Sequence, residues 1–336
     1  MTAQIVPLPT RRPSLDAMLA LTAPGMNAVN AVILDRMQSE IPLIPALAGH
    51  LISGGGKRLR PMLTLAGASL VGYQGARHHT LAAAVEFIHT ATLLHDDVVD
   101  GSEMRRGKAA ANIIFGNPAT VLVGDFLFSR SFELMTEDGS LKVLKILSNA
   151  SAVIAEGEVD QLTAQRKIET SEERYLSIIG AKTAALFAAA SRIAAVVAEC
   201  GEREERALDD YGRNLGVAFQ LVDDAIDYDS DTAAMGKDRG DDFREGKMTL
   251  PVILAYARGT EEERAFWQSA ISGVRNGADE LGRAIALIAK YDALTATRER
   301  ARHFADRAKD AISIFPDSKA RAAMAEAADF AVARGY

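Results

Sequence analysis

Two short acidic motifs interrupt apolar stretches of this sequence. The segments LLHDDVVD (93–100) and LVDDAIDYD (221–229) each contain the pattern DDxxD. Ionised carboxylates are costly to bury unless a cation pairs with them. On a helix, residues four apart lie on one face, about 6 Å apart along the axis. The outer aspartates of each motif therefore form a pair, and these pairs are Asp96 with Asp100 and Asp223 with Asp227.

Carboxylates at this spacing favour a hard divalent cation. Mg²⁺ prefers oxygen ligands, keeps several waters and shares its remaining positions with substrate phosphates. The middle aspartates, Asp97 and Asp224, lie about 100° round the helix from the pairs. A single DDxxD in a polar helix is more often an acidic surface patch. Both copies here lie in apolar segments, which favours a metal site.

Basic residues lie close to both acidic motifs in the sequence. GGGKRLRP (54–61) is a glycine-rich turn that leads into a helix start, where backbone N–H groups suit a phosphate. It is not a Walker A loop, because GxxxxGK[ST] is absent. Any one basic segment is more often a solvated surface charge, but several beside two acidic motifs indicate a cavity for two diphosphates. The basic residues concerned are Lys57, Arg58, Arg60, Arg105, Arg106, Lys182, Lys237 and Lys247.

His89 lies seven residues before Asp96, which is about two helical turns, so the two side chains share roughly one face. Two interpretations remain open for it. It is either a hydrogen-bonded core histidine or a contact to a diphosphate.

The elements that position these residues are predicted to be helices. Alanine and leucine are abundant, and alternating strand patterns are nearly absent. Residues 79–99 and 211–228 are apolar almost all round, which is typical of helices in the centre of a bundle. TSEE (170–173) and TEEE (260–263) match the helix-start pattern of a capping box.

We therefore predict an all-α fold, a single-domain bundle of about ten or more helices around a central cavity. Residues 1–14, with three prolines, are predicted to form a loose N-terminal tail. Residues 15–336 form the domain in this interpretation, because no linker or shift in composition divides them.

Composition narrows the classes of function. The net charge of −7 argues against a nucleic-acid partner. Cys200 is the only cysteine, so no internal disulfide can form and a reducing, cytoplasmic location is expected. The most apolar segment, 183–198, is shorter than a span of ~20 residues and contains Arg192. We therefore predict no transmembrane segment.

Taken together, the motifs resemble those of the trans-type polyprenyl diphosphate synthases, within the isoprenoid synthase family. The nearest likeness is to the bacterial long-chain enzymes of the octaprenyl type. The resemblance extends from about residue 54 to residue 251 and rests on motifs that occur in the family's order. These are GGKRLRP, EFIHTATLLHDDVVD, MRRGK, GEVDQL, KTAALF, GVAFQLVDDAIDY and GDDFREGKMTLP.

The resemblance implies a role for each matching residue. The metal ligands would be Asp96, Asp100 and Asp223. The acidic walls would be completed, partly through water, by Asp97, Asp224 and Asp227. The allylic diphosphate would be held by Arg105, Lys182 and Lys237. The diphosphate of isopentenyl diphosphate would be held by Lys57, Arg60, His89 and Arg106. The developing cation would face Thr183 and Gln220. The site would be closed from a mobile loop by Lys247 and Asp241.

The resemblance also implies an activity. The chain would be a prenyltransferase that condenses isopentenyl diphosphate head-to-tail onto a farnesyl or geranylgeranyl type of allylic diphosphate. The expected product is octaprenyl to decaprenyl diphosphate, a precursor of quinone side chains. Mg²⁺ would be the cofactor, with about three ions bound beside the substrate. A homodimer is expected, with peripheral membrane contact when the product is released.

A long product needs an open path down the helix that carries the first motif. Ala91 and Thr92 lie about one turn before Asp96 and are small, so they would not block a growing chain. By resemblance, short-chain enzymes carry an aromatic residue at one of these positions. We predict that the floor of the path lies on another helix, with Phe132 and Met135 as the candidates.

Two other classes of function share part of this pattern. A class I terpene cyclase would have the all-α fold and one aspartate motif, but it binds a single diphosphate and has no need of GGGKRLRP. A non-catalytic partner subunit of a two-component synthase typically loses the aspartates. An activity assay of the single chain distinguishes the three.

Overall fold

A computed structural model describes residues 12–53, 56–105, 107–229, 240–275 and 277–334, without the side chains of residues 51–53. Its α-helices are α1 Asp16–Arg36, α2 Leu43–Ser53, α3 Leu59–Leu70, α4 Arg77–Val99, α5 Ala111–Phe115, α6 Asn117–Asp138, α7 Leu141–Ala164 and α8 Glu172–Ile179. They continue as α9 Ala185–Val197, α10 Glu202–Asp227, α11 Asp241–Glu245, α12 Leu250–Arg258, α13 Glu261–Ile271, α14 Ala278–Lys290, α15 Ala293–Ala311 and α16 Lys319–Ala333.

The remaining regular elements are short. A π-helical turn, Gly180–Ala184, joins α8 to α9, and a 3₁₀ turn, Ile312–Ile314, follows α15. Strands β1 (Met104–Arg105) and β2 (Lys108–Ala109) pair in an antiparallel hairpin. The prediction of an all-α fold is confirmed, and within the described residues this hairpin is the only sheet.

Helices α4 and α10 occupy the centre of the bundle, as their apolar sequences predict. Helix α4 packs against α1, α3, α6 and α9, while α10 packs against α9, α12, α15 and α16. Both helices begin earlier than the apolar patterns indicated, at Arg77 and Glu202. Their first turns are polar, so a search for apolar residues does not include them.

Two of the predicted helix starts have different outcomes. The capping box at Thr260 is confirmed. The Thr260 side chain accepts a hydrogen bond from the backbone N–H of Glu263, and the Glu263 side chain accepts one from the backbone N–H of Thr260. The start predicted at Thr170 is wrong by one residue. Ser171 is the N-cap and accepts from the backbone N–H of Arg174, while the Thr170 hydroxyl donates to the carbonyl of Lys167.

The end of the predicted N-terminal tail contacts the bundle. The backbone N–H of Ser14 donates to Oε1 of Glu326 on α16 at 3.2 Å. Residues 1–11 of the tail lie outside the described residues.

By length and composition alone, two helical stretches could cross a membrane, Asp16–Arg36 and Glu172–Val197. The second has 78% of its apolar window buried inside the bundle, as a core helix does. Helix α1 buries Met18, Val29 and Ile33 against its neighbours α3, α4 and α16.

Candidate active site

Both acidic motifs lie at the C-terminal ends of the two central helices. Asp100 is the C-cap of α4, and Asp227 is the last residue of α10. A helix C-terminus carries partial negative charge from its unpaired carbonyl groups. Aspartates there repel both the helix dipole and one another, so each end attracts a cation.

Basic side chains of the protein itself supply these cations at the first motif. Nζ of Lys182 lies 3.8 Å from Oδ2 of Asp96 and 2.7 Å from Oε2 of Glu158 on α7. Burial raises the pKa of Asp96, and the charge of Lys182 opposes that rise. Lys182 thus provides the positive charge beside the Asp96 carboxylate, and a bound metal could take its place.

Lys247 serves the other end of the pair. Its Nζ lies 3.3 Å from Oδ2 of Asp100 and also forms an ion pair with Glu245. Burial lowers the pKa of Lys247, but Asp242, Asp100 and Glu245 together raise it overall. Lys247 is therefore a permanent cation beside the first motif.

Asp97 faces a different neighbour from the pair. It is fully buried, and Oδ1 accepts from Nε of Arg105 on β1 at 2.5 Å. Burial raises the pKa of Asp97, and Arg105 opposes this. Asp97 therefore holds the hairpin that carries Arg105, and it lies on the buried side of α4, away from the partly exposed Asp96 and Asp100.

The C-terminal helix supplies the cation at the second motif. Nη1 of Arg334 lies 3.1 Å from Oδ1 of Asp223, and its guanidinium stacks 3.6 Å above the ring centre of Phe219. Nζ of Lys57 lies 4.7 Å from the ring centre of Phe330, also contributed by α16. Burial and the charge of Arg334 lower the pKa of Lys57. The cations of Lys57 and Arg334 thus both lie close enough to Asp223 to interact with its charge.

Asp224 is turned into the protein, unlike Asp223. Its Oδ1 accepts from Nε2 of Gln220 at 2.7 Å, and its Oδ2 accepts from the hydroxyl of Tyr175 at 2.6 Å. Gln220 in turn accepts from the hydroxyl of Thr183 at 2.9 Å. Burial and the charge of Asp242 raise the pKa of Asp224 to about 7. Asp224 therefore contacts the predicted cation-facing residues and does not line an open acidic wall.

Asp227 ties down the segment that follows the second motif. Its two carboxylate oxygens accept from the backbone N–H groups of Asp241 and Asp242, each at 3.2 Å. These residues begin α11, which leads directly to Lys247. Because Lys247 reaches Asp100, this short helix connects the second motif to the first.

The π-helical turn places Lys182 and Thr183 between the two motifs. Such turns widen a helix locally and are frequent at functional sites. Two glycines allow neighbouring helices to approach it. A Cβ on Gly157 of α7 would lie 2.7 Å from Cβ of Ala181, and one on Gly216 of α10 would lie 2.6 Å from Cα of Ala184. Lys182 consequently reaches α4, and Thr183 reaches α10.

The predicted isopentenyl diphosphate residues are partly brought together. Nη1 of Arg60 lies 3.0 Å from Nε2 of His89, and its guanidinium lies 4.4 Å from the ring centre of Phe187. His89 is thus hydrogen-bonded, as in the core interpretation, but its partner is an arginine of the basic cluster, as in the ligand interpretation. Arg106 and Lys237 lie outside the described residues.

The side chains of two predicted residues do not face the site that the others form. The side chain of Asp241 is half exposed and pairs with Arg244 on its own helix, at 3.2 Å. Phe132 is 37% exposed on the outer face of α6, so it does not lie on the buried side where a tunnel floor would be. Met135 and Ala91 are fully buried, and their part in setting chain length stays a prediction.

Three site residues were missed by sequence reasoning. Glu158 lies in GEVDQL, a motif of the family resemblance to which the sequence analysis gives no role. Tyr175 and Arg334 lie 49 and 111 positions from the aspartates that they contact. No local pattern marks either of them.

The acidic side chains of the two motifs can bind a divalent cation only together with other ligands. Among the described residues, no three His, Cys, Asp or Glu side chains converge closely enough to hold a metal by themselves. Mg²⁺ is usually bound by one or two carboxylates together with substrate phosphates. Asp96 and Asp100 lie on one side of α4, both are partly exposed, and basic groups stand next to them. They fit a metal that arrives with a diphosphate.

Comparison with known proteins finds a matching family model and relatives that are similar along nearly the whole chain. The family model described as polyprenyl synthetase matches residues 41–288. Octaprenyl diphosphate synthase of Escherichia coli (strain K12) is 48% identical over 321 residues, which cover 96% of this chain and 99% of that protein.

Two crystal structures have the same fold along nearly their whole length. A polyprenyl synthase from Caulobacter crescentus CB15, complexed with calcium and isoprenyl diphosphate, is 54% identical with a TM-score of 0.94, covering 97% of this chain and 99% of that one. A decaprenyl diphosphate synthase from Rhodobacter capsulatus is 52% identical with a TM-score of 0.92, covering 96% and 99%.

Proposed function

Because the chain belongs to the polyprenyl synthetase family and is a prenyltransferase, we propose that it makes a long-chain trans-polyprenyl diphosphate. It would lengthen an allylic diphosphate by successive head-to-tail condensation with isopentenyl diphosphate. The product would be octaprenyl to decaprenyl diphosphate. The likeness to an octaprenyl and a decaprenyl synthase supports this range.

One observation carries the proposal. At the partly exposed aspartates of the two motifs, a basic side chain of the protein occupies the place of a counter-ion. Lys182 and Lys247 do so at Asp96 and Asp100, and Arg334 does so at Asp223. When a metal and a diphosphate bind, the metal can take over the carboxylates. The released cations can then bind the phosphate oxygens.

Residues Asp96, Asp100 and Asp223 would hold Mg²⁺. A polyprenyl synthase from Caulobacter crescentus CB15 was crystallised with calcium and isoprenyl diphosphate, which supports a divalent cation in this fold. When bound, the metal would supply positive charge to the leaving diphosphate. The basic residues supply the remaining positive charge for the leaving diphosphate. Because this charge is preorganised, it stabilises the transition state more than the bound substrate.

The basic residues form two groups, one for each diphosphate, and the proposed reaction follows from this arrangement. The allylic C–O bond breaks, and its electron pair leaves with the diphosphate held by Lys182 and Arg105. The double bond of isopentenyl diphosphate, held by Lys57, Arg60 and His89, attacks the resulting cation. A new C–C bond forms, and a proton passes to the departed diphosphate. The oxygens of Thr183 and Gln220 stabilise the cation, and closure over the site excludes water.

The chain would act as a homodimer. An apolar surface on α5 and α6 supports this, with Ile113, Ile114, Val121, Leu122 and Phe132 between 36% and 66% exposed. Exposed apolar surface of this kind marks interaction sites in soluble proteins. A cytoplasmic location, with brief membrane contact at product release, completes the proposal.

The test of the proposed function uses the purified chain alone. With Mg²⁺, isopentenyl diphosphate and farnesyl diphosphate, the chain should make products of about eight to ten isoprene units. Chromatography of the dephosphorylated products measures their length. A chelator should abolish the reaction reversibly. Asp96→Ala and Asp223→Ala should lose most activity with unchanged far-UV circular dichroism, while Asp35→Ala, at an exposed position on α1, should behave as wild type. A cyclised hydrocarbon, or near-normal turnover in both site variants, would refute the proposal.

A further inference from the structure

A continuous chain of hydrogen bonds runs from a buried tyrosine to the residues that face the cation. The hydroxyl of Tyr175 donates to Oδ2 of Asp224 at 2.6 Å. The amide of Gln220 donates to Oδ1 of Asp224 at 2.7 Å, and its oxygen accepts from Thr183 at 2.9 Å. The chain joins α8, α10 and the π-helical turn. It connects the site to a residue that does not line it.

The carboxylate in the middle of this chain decides how the amide is oriented. Both oxygens of Asp224 accept hydrogen bonds, Oδ2 from Tyr175 and Oδ1 from Gln220, so the NH₂ group of Gln220 faces Asp224. The amide oxygen then faces Thr183, whose hydroxyl proton is committed to it. The lone pairs of the Thr183 oxygen consequently face away from Gln220. The direction of both dipoles thus depends on Asp224.

Tyr175 holds that carboxylate in place. Its ring is 3% exposed on α8, and its pKa is raised well above the usual value by burial and by Asp224, so it remains a phenol donor. Removing the hydroxyl would leave Oδ2 of a buried carboxylate without its donor, which is unfavourable. The nearby charge of Asp242 also repels the Asp224 carboxylate. The carboxylate would then rotate, and Gln220 would lose its fixed partner.

Resting on the proposed function, we propose that Tyr175 is a positioning residue of prenyl transfer. Acting through Asp224 and Gln220, it keeps the oxygen dipoles of Gln220 and Thr183 directed at the allylic cation. The aspartate in the middle of the second motif serves this orientation and not metal binding. The roles of Asp223 and Asp224 are thereby separated.

This role has a specific kinetic signature. The cation exists only in and after the transition state, so correctly directed dipoles stabilise the transition state more than the bound substrates. Loss of Tyr175 should therefore lower kcat and leave both Michaelis constants nearly unchanged. An oriented group that stabilises transition-state charge directly is worth ~100-fold or more. A residue acting through it should be worth about tenfold.

The test compares two phenylalanine variants. Tyr175→Phe removes the hydroxyl from the chain. Tyr211→Phe removes an equally buried hydroxyl on α10, which donates to the carbonyl of Met324 at 2.8 Å. Both should lose similar stability toward urea. Assays run well below the unfolding temperature should show the tenfold loss of kcat in Tyr175→Phe only.

A double variant tests the path of the effect. If Tyr175 acts through Asp224, then Tyr175→Phe with Asp224→Asn should be no slower than Asp224→Asn alone, since residues that act as a unit are not additive. Multiplicative losses, or equal kcat values in Tyr175→Phe and Tyr211→Phe, would overturn the proposal. Failure of the wild type to form any polyprenyl product would refute the proposed function instead, so the two failures are distinguishable.

Discussion

At the residue scale, neighbouring aspartates of each motif have separate surroundings. Asp96 is partly exposed beside Lys182, whereas Asp97 is buried against Arg105. Asp223 likewise meets Arg334, whereas Asp224 meets Tyr175. One step along a helix turns the side chain by about 100°. Adjacent positions therefore reach different parts of the molecule although their residue types are the same.

The basic residues should divide between the two substrates. Lys57→Ala and Arg60→Ala should raise the Michaelis constant for isopentenyl diphosphate more than that for the allylic substrate, because each removes a charge from its diphosphate. Lys182→Ala should do the reverse or depress kcat. Steady-state kinetics with each substrate varied in turn measures both constants. Equal effects of all three variants on both substrates would contradict the division.

Arg334 should compete with a divalent cation for Asp223. In Arg334→Ala the carboxylate loses its counter-ion, so Mg²⁺ should bind more tightly to the substrate-free enzyme. An ion pair of this kind is worth ~1 kcal/mol, which corresponds to about fivefold in affinity. Calorimetric titration of the free enzyme measures the change. Arg321→Ala, which removes an ion pair elsewhere on α16, is the control and should leave the affinity as it was.

At the scale of elements, α4 combines the metal-binding end with the wall of the product path. Ala84, Ile88 and Ala91 follow one another along its buried surface, and its main neighbour α6 contributes the buried Met135. The same helix can therefore orient the diphosphate and limit the hydrocarbon. Because its small residues do not block a growing chain, the facing helices would limit the length of the product.

Ala91→Tyr should shorten the product to about fifteen or twenty carbons, because a ring one turn below Asp96 blocks growth after about one turn of helix, ~5.4 Å. Met135→Ala should lengthen it if Met135 forms the floor. Chromatography of dephosphorylated products gives the lengths, and Ala91→Ser is the size-matched control. An unchanged length in Ala91→Tyr that still condenses would exclude a path past this residue.

The close approach of α10 to the π-helical turn should be sensitive to a single methyl group. Gly216→Ala places Cβ 2.6 Å from the backbone of Ala184, and overpacking of this kind costs ~1–3 kcal/mol. It should also lower kcat by shifting the adjacent Thr183. Gly282→Ala on α14 meets nothing within 4 Å and should stabilise by ~0.5–1 kcal/mol. Urea denaturation of both variants measures the difference, and equal stabilities would contradict the close contact.

At the scale of the whole molecule, packing brings the C-terminal helix and the short helix α11 to the site. Helix α16 contacts α1, α3 and α10, and its end carries Arg334 to Asp223. Helix α11 carries Lys247 to Asp100 from the other side. The catalytic charges thus depend on the complete bundle and not on the two central helices alone.

The apolar surface of α5 and α6 should join two copies of the chain. Leu122→Asp places a charge at its most exposed position, 66% accessible, and burying an unpaired carboxylate is costly. This variant should be a monomer by light scattering, whereas the wild type should be a dimer. Val274→Asp, at an exposed position in the loop after α13, should remain dimeric. A monomeric wild type would refute the assembly.

The sequence by itself determined the helical fold and the residues that share a helix face. Hydrophobic periodicity and i, i+4 spacing are local properties, so the Asp96–Asp100 pair, the central helices and the capping box at Thr260 could be inferred from them. It also located the basic segments, because their charges stand out beside glycine-rich turns.

Only the tertiary structure decided which cation meets which aspartate and which way each side chain faces. The contacts of Arg334 with Asp223 and of Tyr175 with Asp224 join distant parts of the chain, and no local pattern encodes them. The sequence predicts Phe132 as a candidate for the tunnel floor, but the rotation of α6 turns its side chain outward. Helix orientation is set by packing against all neighbours at once, and a single segment does not contain that information.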